Sequence, residues 1–201
     1  MSSYVARPLP GFTMVWDGLF NNQYLVDDVD DMEEGAMTTV REGGEELIQD
    51  GARWLAEVAR VRSDADTFED PRAYPVPDGG YLGAVRNEYD TKTRIWYLNG
   101  PVWHTGQAIV AVLIARRRSD ENDASLLDAA RAMGEYILRN IVTAPGDPND
   151  GLMLSYEGDN VTANNQVTFE TLPGLLDLSA ATGDSSYAVG ARQAADFVLN
   201  G

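Results

Sequence analysis

The feature that most restricts the fold of this chain is a repeated helical pattern. Three apolar segments, at 47–58, 126–138 and 187–199, each contain an Ala-Arg pair with an acidic residue four positions after the arginine. The arginine–acid pairs are Arg53 with Glu57, Arg131 with Glu135, and Arg192 with Asp196. Residues four apart lie on one face of a helix. The pattern therefore predicts three equivalent helices, and such an internal repeat is typical of stacked helical units.

A second, more apolar type of helix alternates with the first. The segments 103–117 and 169–183 align without a gap, and an Asp-Gly loop precedes each of them, at 78–82 and at 150–154. One apolar and one amphipathic helix in alternation predict α/α-hairpins, with the apolar helices in an inner layer. Such hairpins stack into a closed α/α toroid or an open solenoid. We therefore expect a mainly all-α fold, a toroid or partial toroid of about three hairpins.

The domain organisation follows from the positions of these helices. We expect an irregular N-terminal segment at 1–31 and a single α/α-hairpin domain at 32–201. Because glycine disfavours helix, Gly43–Gly44 is expected to end a weak first helix before the helix at about 45–62. A short β-hairpin is expected near 81–98. The other helices are expected at about 101–118, 125–142, 166–182 and 185–199, with a loop at 143–165.

The charge of the chain excludes several classes of partner. It has 32 acidic and 15 basic residues, which gives a net charge of -17. Nucleic-acid binding requires clustered positive charge and anionic membranes attract basic segments, so neither partner is expected. No apolar run is long enough to span a bilayer, and the first residues lack the apolar core of a signal peptide. Since the chain has no cysteine, disulfides, thiolate metal sites and cysteine nucleophiles are excluded.

The choice among charged residues indicates a high-salt environment. All the basic residues except Lys92 are arginine, and aspartate outnumbers glutamate by 20 to 12. Short carboxylates hold water and cations well, whereas lysine carries a long apolar stem. We interpret the composition as halophilic; an ordinary acidic protein from a GC-rich genome is the alternative. The expected location is the cytoplasm of a high-salt organism, or the outside of the cell if a signal was removed or is unrecognised.

The repeats resemble those of a known superfamily. The segment TGDSSYAVGARQAADFVL at 182–199 resembles the turn and helix of six-hairpin, or (α/α)6-toroid, carbohydrate-active enzymes. DGG at 78–80 and DGL at 150–152 resemble the loops that those enzymes place before inner helices. The segment at 164–184 is also similar to the helical domain of glucuronyl C5-epimerases. The resemblance covers about 40–201 and implies half of a six-hairpin ring, with a site at the N-terminal ends of the inner helices.

The aligned inner helices place two chemically similar groups at that end. Trp103-His104-Thr105 and Phe169-Glu170-Thr171 occupy matching positions, each with an aromatic residue, an ionisable residue and a hydroxyl. His104 is the only histidine and titrates near neutral pH. We predict that His104 and Glu170 are a catalytic acid–base pair, flanked by the substrate-binding rings of Trp103 and Phe169. The alternatives are a hydrogen-bonded histidine at a helix start and a capping or solvent-facing glutamate.

A second cluster combines acids with aromatic residues, as sugar-binding sites do. Aromatic rings can stack on a pyranose while carboxylates accept hydrogen bonds from its hydroxyls. The predicted substrate-binding residues are Glu88, Tyr89, Asp90, Trp96 and Tyr97, with Tyr156 and Glu157 in the later loop. The alternative is a β-hairpin with ordinary cross-strand aromatic pairs.

No cofactor is expected, with one weak exception. Asp27, Asp28, Asp30 and Asp31 could hold Ca²⁺ through their oxygens. Their spacing does not match an EF-hand loop, so a solvated run of charge is the alternative. With one histidine and no cysteine, a catalytic zinc site is not expected.

These features lead to one principal expectation of function. We expect a carbohydrate-active protein: a glycoside hydrolase, polysaccharide lyase or sugar epimerase that acts on uronate-containing glycans. The alternative is a non-catalytic helical-repeat module, a binding or structural subunit of a larger assembly. Half of a ring leaves an apolar lateral face, so the partners expected are a carbohydrate and either a second copy of the chain or the rest of a larger chain.

Overall fold

A computed structural model describes residues 34–63, 80–86, 88–97, 101–119, 124–157, 160–163 and 165–200 of the 201-residue chain. The chain divides into two units between Asp50 and Gly51. The described part of the first unit is helical throughout. All other elements described below belong to the second unit. The expected N-terminal segment at 1–31 lies outside the described residues.

The described part of the chain is mainly helical, which confirms the all-α class. The helices are α1 (Glu34–Trp54), α2 (Pro101–Arg118), α3 (Ala124–Arg139), α4 (Asn165–Thr182) and α5 (Ser185–Asn200). A π-helical segment, Leu55–Ala59, continues α1. The strands are β1 (Glu88–Asp90), β2 (Ile95–Tyr97), β3 (Leu154–Glu157) and β4 (Asn160–Ala163). None of the described helices is both long and apolar enough to cross a bilayer.

The expected helix break at Gly43–Gly44 was wrong, because α1 runs through both glycines. A glycine inside a helix costs about 1 kcal/mol relative to alanine, which a helix of 21 residues can tolerate. The apolar residues of the segment 47–58 are also only partly buried. Leu55 is buried, whereas Leu47 is 45% exposed.

Helices α2 and α4 pack side by side and run in the same direction. Gln107 contacts Glu170 near their N-terminal ends, and Arg117 forms an ion pair of 3.7 Å with Asp177 further along both helices. The interface is close because it contains two glycines. A Cβ atom on Gly106 would lie 2.7 Å from the Thr171 Cα atom, and one on Gly174 would collide with the Gly106 carbonyl oxygen. Each helix then returns through its partner, α3 or α5, to form two hairpins.

The apolar residues of α2 to α5 form the core. Residues from three helices meet there, and each is almost completely buried: Val102, Ile109, Leu113, Leu126, Met133, Ile137, Leu175 and Leu178. The ion pair of Arg131 lies outside this core, on the exposed surface of α3. Its guanidinium contacts Asp128, at 3.0 Å, rather than the expected Glu135.

The loops that precede α2 and α4 are built alike. In each loop a glycine at positive φ, Gly83 at 93° and Gly151 at 91°, leads the chain back along the residues that follow the preceding helix. Three backbone hydrogen bonds recur in the two loops. In the first they are Val61 N to Ala84 O (2.8 Å), Gly83 N to Val61 O (2.9 Å) and Arg86 N to Ala59 O (3.0 Å). In the second they are Val142 N to Leu152 O (2.9 Å), Gly151 N to Val142 O (2.8 Å) and Leu154 N to Asn140 O (2.8 Å).

This repeated pattern supports the internal repeat and corrects its register. The sequence matched the Asp-Gly pairs at 78–79 and 150–151, whereas the hydrogen bonds match Gly151 with Gly83. The equivalent of Asp150 is therefore Leu82. Residues 78–79 lie outside the described part of the chain.

Each loop continues into a two-stranded antiparallel hairpin. Strands β1 and β2 lie within the expected span of 81–98, and Tyr89 pairs with Trp96. Strands β3 and β4 lie within 143–165, where only a loop was expected. Strand β3 packs against α2. The second hairpin therefore lies beside the helix that carries His104.

Candidate functional site

The parallel packing of α2 and α4 brings His104 and Glu170 together. Both residues lie in the first two turns of their helices, and the Gly106–Thr171 contact holds the two backbones close at this level. The Glu170 carboxylate is close enough to raise the pKa of His104. Two residues that match in the gap-free alignment thus lie near the N-terminal ends of two packed helices, within electrostatic range of each other.

The Glu170 carboxylate is fixed by two side-chain amides. Gln107 Nε2 donates to Glu170 Oε2 at 3.0 Å from the neighbouring helix α2. Gln166 Nε2 donates to Glu170 Oε1 at 2.8 Å from the preceding turn of α4. Both oxygens therefore accept hydrogen bonds, which is the pattern of an oriented carboxylate.

His104 is half-buried, and its ring is stacked on Trp103. The ring centroids are 4.9 Å apart and the planes are inclined by 20°. Burial lowers the pKa of His104 from its usual 6.5, and the nearby Glu170 charge opposes this effect without cancelling it. Burial therefore favours the neutral imidazole, the form that can accept a proton.

The two predicted substrate-binding rings, Trp103 and Phe169, have different surroundings. Trp103 is half-buried, and its indole Nε1 is buried without a hydrogen-bond partner among the described residues. Phe169 is 47% exposed. The stacked Trp103 ring thus orients the imidazole, while the Phe169 ring is accessible from solvent.

In the second predicted cluster, the rings of Tyr89 and Trp96 pack against other side chains. The Tyr89 and Trp96 rings, which pair across β1 and β2, have centroids 4.9 Å apart. Trp96 also lies 5.9 Å from Trp54, and the Arg86 guanidinium lies 4.5 Å from its ring centroid. The alternative of cross-strand aromatic pairs therefore describes Tyr89 and Trp96.

Asp90 has a structural partner in the hairpin turn. Its Oδ1 accepts hydrogen bonds from the backbone N–H of Lys92 at 2.8 Å and of Thr93 at 3.4 Å. Hydrogen bonds from Thr93 and Lys92 lower the pKa of Asp90. The backbones of Glu88, Tyr97, Tyr156 and Glu157 lie in the two hairpins, and their side chains lie outside the described part of the structure.

The calcium prediction concerns four aspartates near the start of the chain. Asp27, Asp28, Asp30 and Asp31 lie outside the described residues, so the Ca²⁺ expectation stays a prediction.

A groove of about 480 Å³ lies along α5, where Asp150, Arg192, Asp196 and Phe197 contribute to its walls. Neither His104 nor Glu170 borders this groove.

Sequence reasoning missed the two glutamines that hold Glu170. Gln107 lies three residues after His104, and Gln166 lies four residues before Glu170, so helical spacing places each on the face of its neighbour. It noted the hydroxyl of Thr105 but not its structural role: the buried Oγ1 accepts the Val85 N–H at 2.8 Å and anchors the preceding loop to α2. A search for polar residues one turn from each predicted catalytic group could have found the glutamines.

Comparisons of the chain with protein-family models, with curated proteins and with solved structures found no match.

Proposed function

We propose that the chain is a carbohydrate-active enzyme in which His104 and Glu170 carry out acid–base chemistry on a sugar ring. The observation that supports the proposal is that both residues lie near the N-terminal ends of two parallel helices, with the Glu170 carboxylate close enough to raise the pKa of His104. A neutral imidazole beside an oriented carboxylate suits proton transfer. In this proposal the two helical hairpins, α2–α3 and α4–α5, form part of an α/α toroid, as in the six-hairpin enzymes that the sequence resembles.

The neutral form of His104 favours proton abstraction within this reaction class. Burial keeps the imidazole neutral, so it can remove the C5 proton of a uronate residue. Return of a proton to the opposite face gives epimerisation, whereas loss of the C4 oxygen substituent gives elimination. Hydrolysis usually requires two carboxyl groups about 5–9.5 Å apart, and among the described side chains Glu170 is the one carboxylate that acts on His104. We therefore rank an epimerase or lyase of uronate-containing glycans above a hydrolase.

The experiment is a screen of uronate polysaccharides in high salt with three readouts. Deuterium incorporation at C5 reports proton abstraction, ultraviolet absorbance reports unsaturated products, and new reducing ends report hydrolysis. His104→Ala and Glu170→Gln should each lower turnover by about 10²–10⁴-fold, with unchanged helical circular dichroism. Full activity in both variants would overturn the assignment, as would a wild-type chain inactive in every assay.

A second candidate function is a subunit that binds another copy of this chain, and an apolar stripe on α4 favours it. The stripe consists of Phe169, Pro173, Leu176 and Ala180, all exposed. The matching positions on α2, which packs against α4, are half-buried: Trp103, Gln107, Val110 and Ile114. The stripe carries no charge in a chain with a net charge of -17. A second copy would continue the α2–α4 type of packing.

Light scattering at micromolar concentration in high salt tests this candidate. The wild-type chain should form a dimer or larger particle, and Leu176→Glu should shift it to the monomer mass because a buried carboxylate disfavours the contact. Val189→Glu, on the exposed surface of α5, is the matched control and should leave the assembly unchanged. A wild-type particle of 21.9 kDa would contradict self-association.

A further inference from the structure

Gln107 occupies a special place between the two candidate catalytic groups. It lies three residues after His104 on α2, so the two side chains share a face of the helix. Its Nε2 donates to Glu170 Oε2 on α4 at 3.0 Å, and the side chain is half-buried. Gln107 therefore connects the helix of the imidazole to the carboxylate that influences it.

The second amide on Glu170 cannot perform the same task. Gln166 lies on α4, like Glu170 itself, and is exposed. Its bond of 2.8 Å to Oε1 holds the carboxylate against its own helix, but it does not fix the carboxylate relative to α2. The hydrogen bond from Gln107 crosses the interface and supplies that restraint.

The backbone around Gln107 is well placed to keep this geometry constant. Gly106 and Gly174 allow the two helices to approach until backbone atoms are in contact. Thr171 is buried there, and its hydroxyl donates to the Val167 carbonyl at 2.7 Å. Such a close interface has little freedom to slide, because any shift would bring backbone atoms into collision.

We propose that Gln107 is a positioning residue, which acts through Glu170 on His104 by holding the carboxylate on the α2 side of the interface. Glu170 is the charged group that acts on His104 across the interface with α4. Strand β3, which also packs against α2, carries Tyr156 and Glu157, whose side chains are outside the described part. Without the Gln107 amide, Gln166 would draw the carboxylate back to α4 and away from the imidazole.

The proposal deepens the function assigned to this site, but its test needs no substrate. Because His104 is the only histidine, NMR of the full-length chain reports its titration without overlap from other imidazoles. Gln107→Met keeps the length of the side chain and removes the donor, and Gln107→Leu is a second variant in case one of them folds poorly. Glu170→Gln removes the charge itself and defines the limit of the effect.

The expected result is a non-additive series measured at constant salt. Glu170→Gln should lower the pKa of His104, since the carboxylate raises it in the wild type. Gln107→Met should lower this pKa part of the way, and Gln107→Met should have no further effect in the Glu170→Gln background. A merely structural role for Gln107 would change stability without this dependence on Glu170.

Gln193 provides the matched control. Its Nε2 also donates to a carboxylate from another element, Asp150 Oδ1, at 2.8 Å. Gln193→Met should lower stability to a similar degree and leave the titration of His104 unchanged. The proposal is overturned if Gln107→Met leaves the pKa of His104 at its wild-type value, or if it shifts this pKa equally with and without Glu170.

These outcomes are separable from those of the catalytic proposal. A titration series as expected, in a chain that turns over no glycan, supports the role of Gln107 and removes the catalytic assignment. If activity depends on His104 and Glu170 but the titration of His104 is unchanged by Gln107→Met, the catalytic assignment is supported and the role of Gln107 is removed.

Discussion

At the scale of single residues, a half-buried imidazole makes stability depend on pH. Protonation of His104 is opposed by burial, so its pKa in the folded chain lies below the value of 6.5 expected for an unfolded one. Between these two values the unfolded chain binds a proton that the folded chain does not. The free energy of unfolding therefore falls as the pH drops below 6.5 through this window, and the loss is complete below the folded pKa.

The corresponding prediction compares the wild-type chain with His104→Gln. The difference in unfolding free energy between the two proteins should change between pH 7.5 and 5.5, with the wild type losing relative stability as the pH falls. Carboxylates titrate in both proteins, so their contribution cancels in the difference. Urea unfolding at fixed KCl concentration measures it. A difference that is independent of pH, or that grows in favour of the wild type on acidification, would contradict the assignment.

The sequence predicted part of the site because position in a repeat is readable from sequence. The gap-free alignment placed His104 and Glu170 at matching positions, and in the structure both lie near the N-terminal ends of helices that pack together. Helical spacing could have nominated Gln107 as a neighbour of His104, but its bond to Glu170 depends on the rotation of α2 against α4, which no alignment contains. The role of Trp96 was also open, since an aromatic ring that packs on Tyr89 and one that binds a sugar leave the same trace in sequence.

At the scale of elements, the loops around Gly83 and Gly151 are the most sharply defined feature. Gly151 has a φ of 91°, and a Cβ atom there would collide with the Gln193 carbonyl oxygen and lie 3.0 Å from Phe197 Cβ. Gly83, at 93°, would collide with the Ala132 carbonyl oxygen in the same way. Both positions need glycine for two reasons: the backbone conformation, and the close approach to α3 at Gly83 and to α5 at Gly151.

The prediction for these loops is a comparison of two alanine substitutions. Gly146 has a φ of 87°, but no heavy atom of the described residues lies within 4 Å of the place that its Cβ atom would take. Gly146→Ala should therefore lose about 1–2 kcal/mol from the left-handed backbone alone. Gly151→Ala should lose clearly more, since the loop must also separate from α5. Urea unfolding measures both, and equal losses would show that the contact with α5 is unimportant.

The elements themselves were predictable to different degrees. Helices α2, α4 and α5 begin and end within a residue of expectation, because a proline or a polar turn marks their ends and their apolar residues recur with helical spacing. The β3–β4 hairpin was missed because its strands have only four residues each and little apolar alternation. The predicted register of the loop repeat was wrong because it was set by the two Asp-Gly pairs. The hydrogen bonds instead match Gly83 with Gly151, the glycines that adopt positive φ.

At the scale of the whole molecule, the net charge of -17 is the property expected to influence stability most. With 32 acidic and 15 basic residues the chain repels itself, and this repulsion is released when the chain unfolds and expands. Two ion pairs of the described surface, Arg117 with Asp177 and Arg131 with Asp128, are exposed and contribute little. We therefore expect the stability of the compact state to depend on screening of this excess negative charge by dissolved ions.

The prediction is that thermal stability rises strongly with salt. The screening length falls from about 10 Å at 0.1 M to about 3 Å at 1 M ionic strength, so most repulsion between surface carboxylates should be removed within that range. Melting temperatures followed by circular dichroism from 0.1 to about 3 M KCl should increase steeply at first and more slowly afterwards. Glycine betaine at matched osmolality, which adds no net ions, is the control and should give a much smaller increase over the first part of the range. A melting temperature that is flat or falling in KCl would reject the halophilic interpretation, and an equal rise in betaine would assign the effect to solvent exclusion from the surface instead of to charge.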